Sequence, residues 1–128
     1  MLGRAGGQVT TSEADWPSRF HIAPAKITAY LLDPHHKDGA AKCRFLAAFG
    51  YTSQNPDDLQ DALLRHCRRA HFRGTRPGYL AVKIYFEGPL AALIGLDPQV
   101  RTVWQIDEGD LSQTARFITL KPLPRPRL

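Results

Sequence analysis

Apolar residues recur at helical spacing in the first half of the chain and at every second position in the second half. The run from Lys26 to Leu32 stops at Asp33-Pro34, and a second apolar stripe stops at Gly50. A third begins after Asn55, which is a good N-cap residue and is followed by proline at the first helical position. The spacing therefore predicts three helices, near residues 24–32, 41–49 and 56–70.

From Tyr79 onward the period is two, which is typical of strands with one buried face. This pattern predicts strands over residues 79–87, 99–106 and 115–121, and short links between them favour an antiparallel meander. The predicted fold class is α+β, with the N-terminal helices packed on one face of a C-terminal antiparallel sheet meander. The expected core residues are Ile27, Leu31, Phe45, Leu63, Val82, Ile84, Trp104 and Ile106.

The two ends of the chain differ from this core in composition. Residues 1–20 are mostly small and polar without periodicity, so we expect a flexible N-terminal arm whose end is tethered by Trp16 and Phe20. Residues 122–128 form a basic, proline-rich tail that either solubilises the chain or adds phosphate contacts. A single α+β domain then spans residues 21–121, since 128 residues with 43% hydrophobic residues can bury one core.

Charge and cysteine content narrow the classes of partner and cofactor. A net charge of +5 and a pI of about 9.6 favour an acidic partner without requiring one. Cys67, His66 and His71 lack the spacing of paired metal ligands, so no metal site and no cofactor are predicted, and both cysteines are expected to be reduced. No apolar run approaches the roughly 20 residues of a membrane span. We therefore expect a cytoplasmic protein without a membrane partner.

The loop between the first two predicted helices concentrates side chains that can do chemistry. It carries His35, His36, Lys37 and a glycine, and Lys42 follows in the first turn of the next helix. A helix N-terminus favours an anion, so a lysine placed there is explained if a negative ligand binds. The alternatives are that His36 caps the helix and that Lys42 is simply solvated.

Further basic residues occur on the third helix and on the face of the sheet left open by the helices. Arg65, Arg68 and Arg69 either complement the helix dipole or bind nucleic acid. On the open face, Lys83, Arg101 and Gln105 should line up, although Arg101 could instead pair with Asp107 or Glu87. The candidate nucleic-acid-binding residues are His35, Lys37, Arg65, Arg68, Arg69 and Lys83.

Spaced motifs cover about residues 24–121, namely Tyr30-Leu31-Leu32-Asp33-Pro34-x-His36-x-x-Gly39-x-x-Lys42-x-x-Phe45, Phe49-Gly50-Tyr51, Glu87-Gly88-Pro89-Leu90, Val100-Arg101-Thr102-Val103-Trp104 and Arg116-Phe117-Ile118-Thr119. They resemble an uncharacterised bacterial domain family whose members occur as small stand-alone proteins and as C-terminal modules of polymorphic toxins and adhesins. Toxin modules with this layout resemble the barnase/colicin/RelE-like group of ribonucleases. The chain departs from the family at His35-His36-Lys37, where members often have a small residue or proline; the resemblance favours His36 as the acting imidazole.

The resemblance implies a toxin-like, metal-independent endoribonuclease that acts on RNA, with tRNA a candidate, and is neutralised by a cognate acidic antitoxin or immunity protein. Such cleavage needs groups that exchange protons and cations that stabilise the developing charge. The candidate catalytic residues are His36, Lys42, Arg101 and Thr119. The alternative is a non-catalytic module that binds nucleic acid or protein. An acid–base enzyme for a small molecule is less favoured, because paired carboxylates and a cofactor-binding glycine pattern are missing.

Overall fold

Residues 16–124, which a computed structural model describes, form a helical layer on one face of a five-stranded sheet. The three predicted helical segments are confirmed. The first is a short helix, α1 (Pro24–Lys26), that continues into a π-helical turn (Ile27–Leu31). It is followed by α2 (Ala40–Ala47) and α3 (Pro56–His66). The third helix ends at His66 instead of near residue 70, and a 3₁₀ turn (Arg69–His71) follows it.

The sheet contains β1 (Arg19–His21), β2 (Phe72–Gly78), β3 (Ala81–Pro89), β4 (Gln99–Asp107) and β5 (Thr114–Pro122). Its spatial order is β1-β5-β4-β3-β2. Consecutive strands from β2 to β5 pair antiparallel, as the meander prediction requires, whereas β1 pairs parallel to β5. The α+β fold class is therefore confirmed, with a mixed sheet. The pattern missed β2, because its run of Arg, Gly and Pro shows no apolar alternation and its pairing partner β3 imposes the strand.

The segments predicted as flexible ends fall partly inside the described residues. β1 begins inside the segment assigned to the N-terminal arm and ends at His21, the first residue of the predicted domain. Trp16 packs edge-on against Phe20 and Phe86. Residues 1–15 and 125–128 lie outside the described residues, so most of the arm and of the tail stay predictions. Between residues 16 and 124, every helix is too short or too polar to cross a bilayer.

The core lies between the helices and the inner face of the sheet. Leu31, Leu46 and Leu63 from the helical layer are fully buried with Phe86 and Trp104 from the sheet. The core prediction is wrong for Val82, which is 40% exposed near the tip of the β2–β3 hairpin, away from the helices. Ile106, its partner on β4, is only partly buried.

A buried polar cluster links α3 to the centre of the sheet. The Nε2 atom of His66 donates to the carbonyl oxygen of Gly88 at 3.1 Å, and its Nδ1 atom lies 2.9 Å from the Thr102 hydroxyl. Trp104 donates its indole N–H to the same hydroxyl at 2.9 Å. Burial lowers the pKa of His66 from its ordinary 6.5 to about 4. The imidazole is therefore neutral at physiological pH.

Gly88 is expected to resist replacement, because it leaves no room for a side chain. A Cβ atom added there would lie 2.5 Å from the Cδ2 atom of the buried His71 ring. Gly88→Ala should lower the free energy of unfolding by about 1–3 kcal/mol, the usual cost of overpacking. Gly78→Ala is a matched control, since its Cβ would meet only a backbone oxygen at 3.8 Å. Equal denaturation midpoints for the two variants would contradict this prediction.

Candidate functional site

The open face of the sheet carries polar and basic side chains in rows that run across the strands. Cross-strand partners point to the same face of a sheet, so the pairing register defines each row. One row joins Arg76, Lys83, Gln105 and Arg116, which lie on β2 to β5 in turn. The predicted alignment of Lys83 with Gln105 on this face is confirmed, whereas Arg101 lies in a different row, opposite Glu87.

Two further rows lie beside the first. The central row joins Gly74, Tyr85, Val103 and Thr119, again from β2 to β5. The third joins Glu87, Arg101 and Lys121. Arg101 and Thr119 therefore both lie on the open face of neighbouring strands.

A β-bulge in β5 decides which side chains reach this face. Val103 pairs with Thr119, but the next residue, Trp104, pairs with Phe117, so Ile118 is an extra residue in the strand. Strict alternation from Phe117 would turn Thr119 towards the core. The bulge instead turns it to the open face, where Arg116 also lies. Bulges often re-aim side chains beside functional sites.

Three successive residues of β5 are each contacted by a side chain from the helical layer. Lys26 donates from Nζ to the carbonyl oxygen of Ile118 at 2.9 Å, and Lys42 donates to that of Leu120 at 2.8 Å. Between them, the hydroxyl groups of Tyr30 and Thr119 are hydrogen-bonded at 2.7 Å. The His36 ring packs edge-on against Tyr30, with centroids 5.1 Å apart. We call Lys26, Tyr30, His36, Lys42 and Thr119 the β5 corner.

The lysines of the β5 corner have a clear structural role. β1 pairs with β5 along residues 114–116, and beyond that point no strand within residues 16–124 pairs with the edge of β5. The two ammonium groups bind edge carbonyl groups there, which protects the edge from pairing with another chain. This contact explains why Lys42 tolerates its unfavourable place in the first turn of α2.

The β5 corner is positively charged. Burial lowers the pKa of Lys26, and the positive charge of Arg116 lowers it further. Burial and the positive charge of Lys121 likewise lower the pKa of Lys42, while Asp38 raises it. An ammonium group has three N–H donors, and the β5 carbonyl uses one of them. Two fixed cations with further donors make the corner suited to an anion such as phosphate.

His36 caps the start of α2. Its Nδ1 atom accepts hydrogen bonds from the backbone N–H groups of Asp38 at 2.9 Å and Gly39 at 3.0 Å. A ring nitrogen that accepts these bonds carries no proton, so the neutral ring carries its proton on Nε2. His36 can therefore offer a ligand a hydrogen-bond donor, while accepting a proton on Nδ1 would require breaking the cap. The two capped amides are also unavailable to an anion.

Tyr30 lies in an unusual stretch of backbone. The N–H group of Leu32 donates to the carbonyl oxygen of Ile27 at 2.9 Å, the i to i+5 bond of a π-helix. Such turns are rare and frequently occur at functional sites. The Lys26 ammonium lies 5.0 Å from the centroid of the Tyr30 ring, so the phenol has a cation against its face.

The structure brings three of the four candidate catalytic residues together and separates the fourth. His36, Lys42 and Thr119 all belong to the β5 corner. Arg101 lies one strand further in and forms an ion pair with Glu87, one of the two partners that the sequence allowed. Its guanidinium therefore points towards β3.

The candidate nucleic-acid contacts are dispersed. Lys83 lies on the open face, and His35 and Lys37 are exposed in the loop before α2. Arg65 and Arg68 line a different groove at the end of α3, in the helical layer. The Arg69 guanidinium lies 4.2 Å from the centroid of the Trp16 ring. The arginine cluster at and beyond the end of α3 is thus not part of the open face.

Two residues of the β5 corner were missed by sequence reasoning. Tyr30 counted as part of an apolar stripe, and Lys26 as the start of a helix. The available signal was their spacing of four residues, which places an ammonium and a hydroxyl on one helical face. Within residues 16–124, no group of three or more His, Cys, Asp or Glu side chains is arranged to hold a metal ion.

Comparisons with known proteins identify the chain only at the level of its family. No curated protein and no solved structure matches it. The sequence profile of a domain of unknown function, DUF6883, matches residues 14–124, which include the whole sheet and every residue of the β5 corner. The chain therefore belongs to the DUF6883 family.

Proposed function

We propose that this domain is a toxin-like, metal-independent endoribonuclease that binds RNA across its open face and cleaves it at the β5 corner. The observation that carries the proposal is the convergence of two ammonium groups and two hydroxyl groups on three successive residues of β5. Cleavage of RNA without a metal needs cations for the developing charge and groups that exchange protons. The corner offers both, beside rows of basic side chains that suit a phosphate backbone.

In the proposed reaction, the ribose 2′-oxygen attacks the adjacent phosphorus and the bond from phosphorus to the 5′-oxygen breaks. The 2′-hydroxyl loses a proton and the leaving oxygen gains one, which gives a 2′,3′-cyclic phosphate and a 5′-hydroxyl. Lys26 and Lys42 stabilise the negative charge on the phosphate, and His36 donates to it through Nε2. The hydroxyl pair of Tyr30 and Thr119 exchanges protons with the sugar oxygens.

A nuclease of this kind requires an inhibitor in the cell that produces it. We infer a cognate antitoxin or immunity protein with an acidic surface, because the basic open face would attract such a partner and steer its association. tRNA is the first RNA to test as substrate. Production of the domain without the inhibitor should slow bacterial growth.

Total RNA incubated with the purified domain in EDTA should yield fragments that end in 2′,3′-cyclic phosphate. His36→Asn should lower this cleavage while α2 stays folded, because an asparagine side chain can still cap the helix. His21→Asn makes the same change at an exposed position on β1 and should cleave like the wild type. Fragment ends are read by sequencing, and folding by circular dichroism.

The alternative is a non-catalytic module that binds nucleic acid. The observation in its favour is that His36, Lys26 and Lys42 each make a hydrogen bond that also stabilises the fold. This alternative predicts intact RNA in the cleavage assay, with binding that weakens gradually as basic residues are neutralised. Intact RNA at every pH and salt concentration, or cleavage that persists at the wild-type rate in His36→Asn, would contradict the site proposed here.

A further inference from the structure

A second concave region of the open face lies over β2, β3 and β4. It is a groove of about 330 Å³, and side chains from all three strands line it. We call it the arginine groove after its charged and aromatic lining residues, Arg73, Arg76, Tyr85, Glu87 and Arg101.

Two guanidinium groups of the arginine groove lie near the same aromatic ring. The Cζ atoms of Arg76 and Arg101 lie 5.9 Å and 5.8 Å from the centroid of the Tyr85 ring. Arg101 is fixed further by Glu87, which accepts from its Nε at 2.6 Å and from its terminal NH₂ at 2.5 Å. A planar guanidinium that is already oriented loses less freedom when it binds a phosphate.

Positive charge in the groove exceeds negative charge. Glu87 is the carboxylate among its lining residues, and it is shared between Arg101 and Arg73, whose Nε lies 3.9 Å from the second carboxylate oxygen. Within residues 16–124, Arg76 forms no ion pair, and its guanidinium contacts the Tyr85 ring. The groove therefore favours an anion with several acceptor oxygens.

The groove and the β5 corner lie along one row of the sheet. Tyr85 pairs with Val103, which pairs with Thr119, so two strand spacings separate the groove from the corner. Neighbouring strands lie about 4.8 Å apart, which gives a separation of roughly 10 Å. A single RNA strand lying across the sheet can span this distance.

We propose that the arginine groove is a second phosphate-binding subsite, in which Arg76 and Arg101 bind a backbone phosphate of the RNA strand whose reacting phosphate lies at the β5 corner. This inference rests on the proposed RNA-binding function of the open face. It explains the placement of Arg101 outside the β5 corner, because the residue then binds the substrate away from the reacting bond.

The test uses a single-stranded oligoribonucleotide that is 2′-O-methylated throughout, so that it cannot be cleaved by its own 2′-hydroxyl groups. Fluorescence anisotropy over a series of salt concentrations gives the affinity and its salt dependence. Each lost phosphate contact should lower the slope of log affinity against log salt by about 0.7. We expect this change for Arg76→Gln and for Arg101→Gln, and no change for Arg44→Gln, the same substitution at an exposed position on α2.

Tyr85 provides a second readout, because it carries no charge. Tyr85→Leu removes the ring that both guanidinium groups contact and should weaken binding, and Tyr85→Phe, which restores a ring, should bind more tightly than Tyr85→Leu. No binding of the oligonucleotide, or equal salt slopes for the groove variants and Arg44→Gln, would overturn the inference. Groove-dependent binding without cleavage of unmodified RNA would keep the subsite and refute the nuclease. Cleavage of unmodified RNA, together with oligonucleotide binding that does not depend on the groove, would keep the nuclease and refute the subsite.

Discussion

Replacing Lys42 by methionine is expected to lower the rate of the proposed RNA cleavage by about 100- to 1,000-fold, the usual cost of removing one preorganised charge donor from an active site. Methionine keeps most of the aliphatic stem and removes the ammonium group, which donates to Leu120 and carries a positive charge into the β5 corner. The rate is measured with radiolabelled tRNA under single-turnover conditions, so that the chemical step is observed.

Two further variants separate the charge of Lys42 from its role at the strand edge. Arg44→Met removes a cation two residues away on the exposed side of α2 and should cleave at the wild-type rate. Lys42→Arg keeps a cation and a donor for Leu120, and should recover part of the activity. If Lys42→Met cleaves normally and only its thermal stability falls, the ammonium group serves the edge of β5 and takes no part in the reaction.

Acidification from pH 7 to pH 4 is expected to lower the free energy of unfolding by about 3 kcal/mol through His66 alone. The pKa of His66 is about 4 in the folded protein and 6.5 in an unfolded chain, so the unfolded state binds more protons between these values. The stabilisation is complete above pH 6.5 and is lost as the pH falls towards 4. Each unit of pKa difference contributes 1.36 kcal/mol.

Urea denaturation at a series of pH values measures this loss, and NMR titration of the His66 ring assigns it. Hydrogen bonds from Arg116 and Ser112 lower the pKa values of Asp107 and Asp110, respectively. The stabilisation of the fold by these two carboxylates is therefore lost at a more acidic pH than the stabilisation by His66. His21→Asn, which removes an exposed imidazole, should leave the profile unchanged. A His66 ring that titrates near its ordinary pKa would refute this account of the cluster.

Most of the fold could be predicted because the apolar pattern and the packing agree. The helical stripes around Leu31 and Leu63 and the alternation around Trp104 all face one core. β1 and β2 escaped prediction because their sequences carry too few alternating apolar residues. Their strand geometry comes from pairing with β5 and β3, and a local pattern cannot report a partner that is distant in sequence.

The candidate site could be predicted only in part. His36 and Lys42 belong to one loop and helix start, so their proximity is local information. The approach of Lys26 and Tyr30 to β5 joins residues about 90 positions apart and depends on how the helical layer docks on the sheet. The sequence could not show that His36 caps α2, because the cap depends on where the side chain points. Histidine in general can accept or donate a proton, and the cap occupies the nitrogen of His36 that would accept one.

The extra residue of β5 gives this strand a particular tolerance to change in length. If Ile118 were deleted, the order of the remaining residues would still alternate between core and solvent, with Phe117 inward, Thr119 outward and Leu120 inward. The insertion therefore alters the curvature and the edge of the strand without scrambling its two faces. What a shorter strand would lack is the carbonyl group that Lys26 now binds. Natural or designed variants that differ by one residue at this point would keep the same core contacts but present the Lys26 ammonium group in a new position.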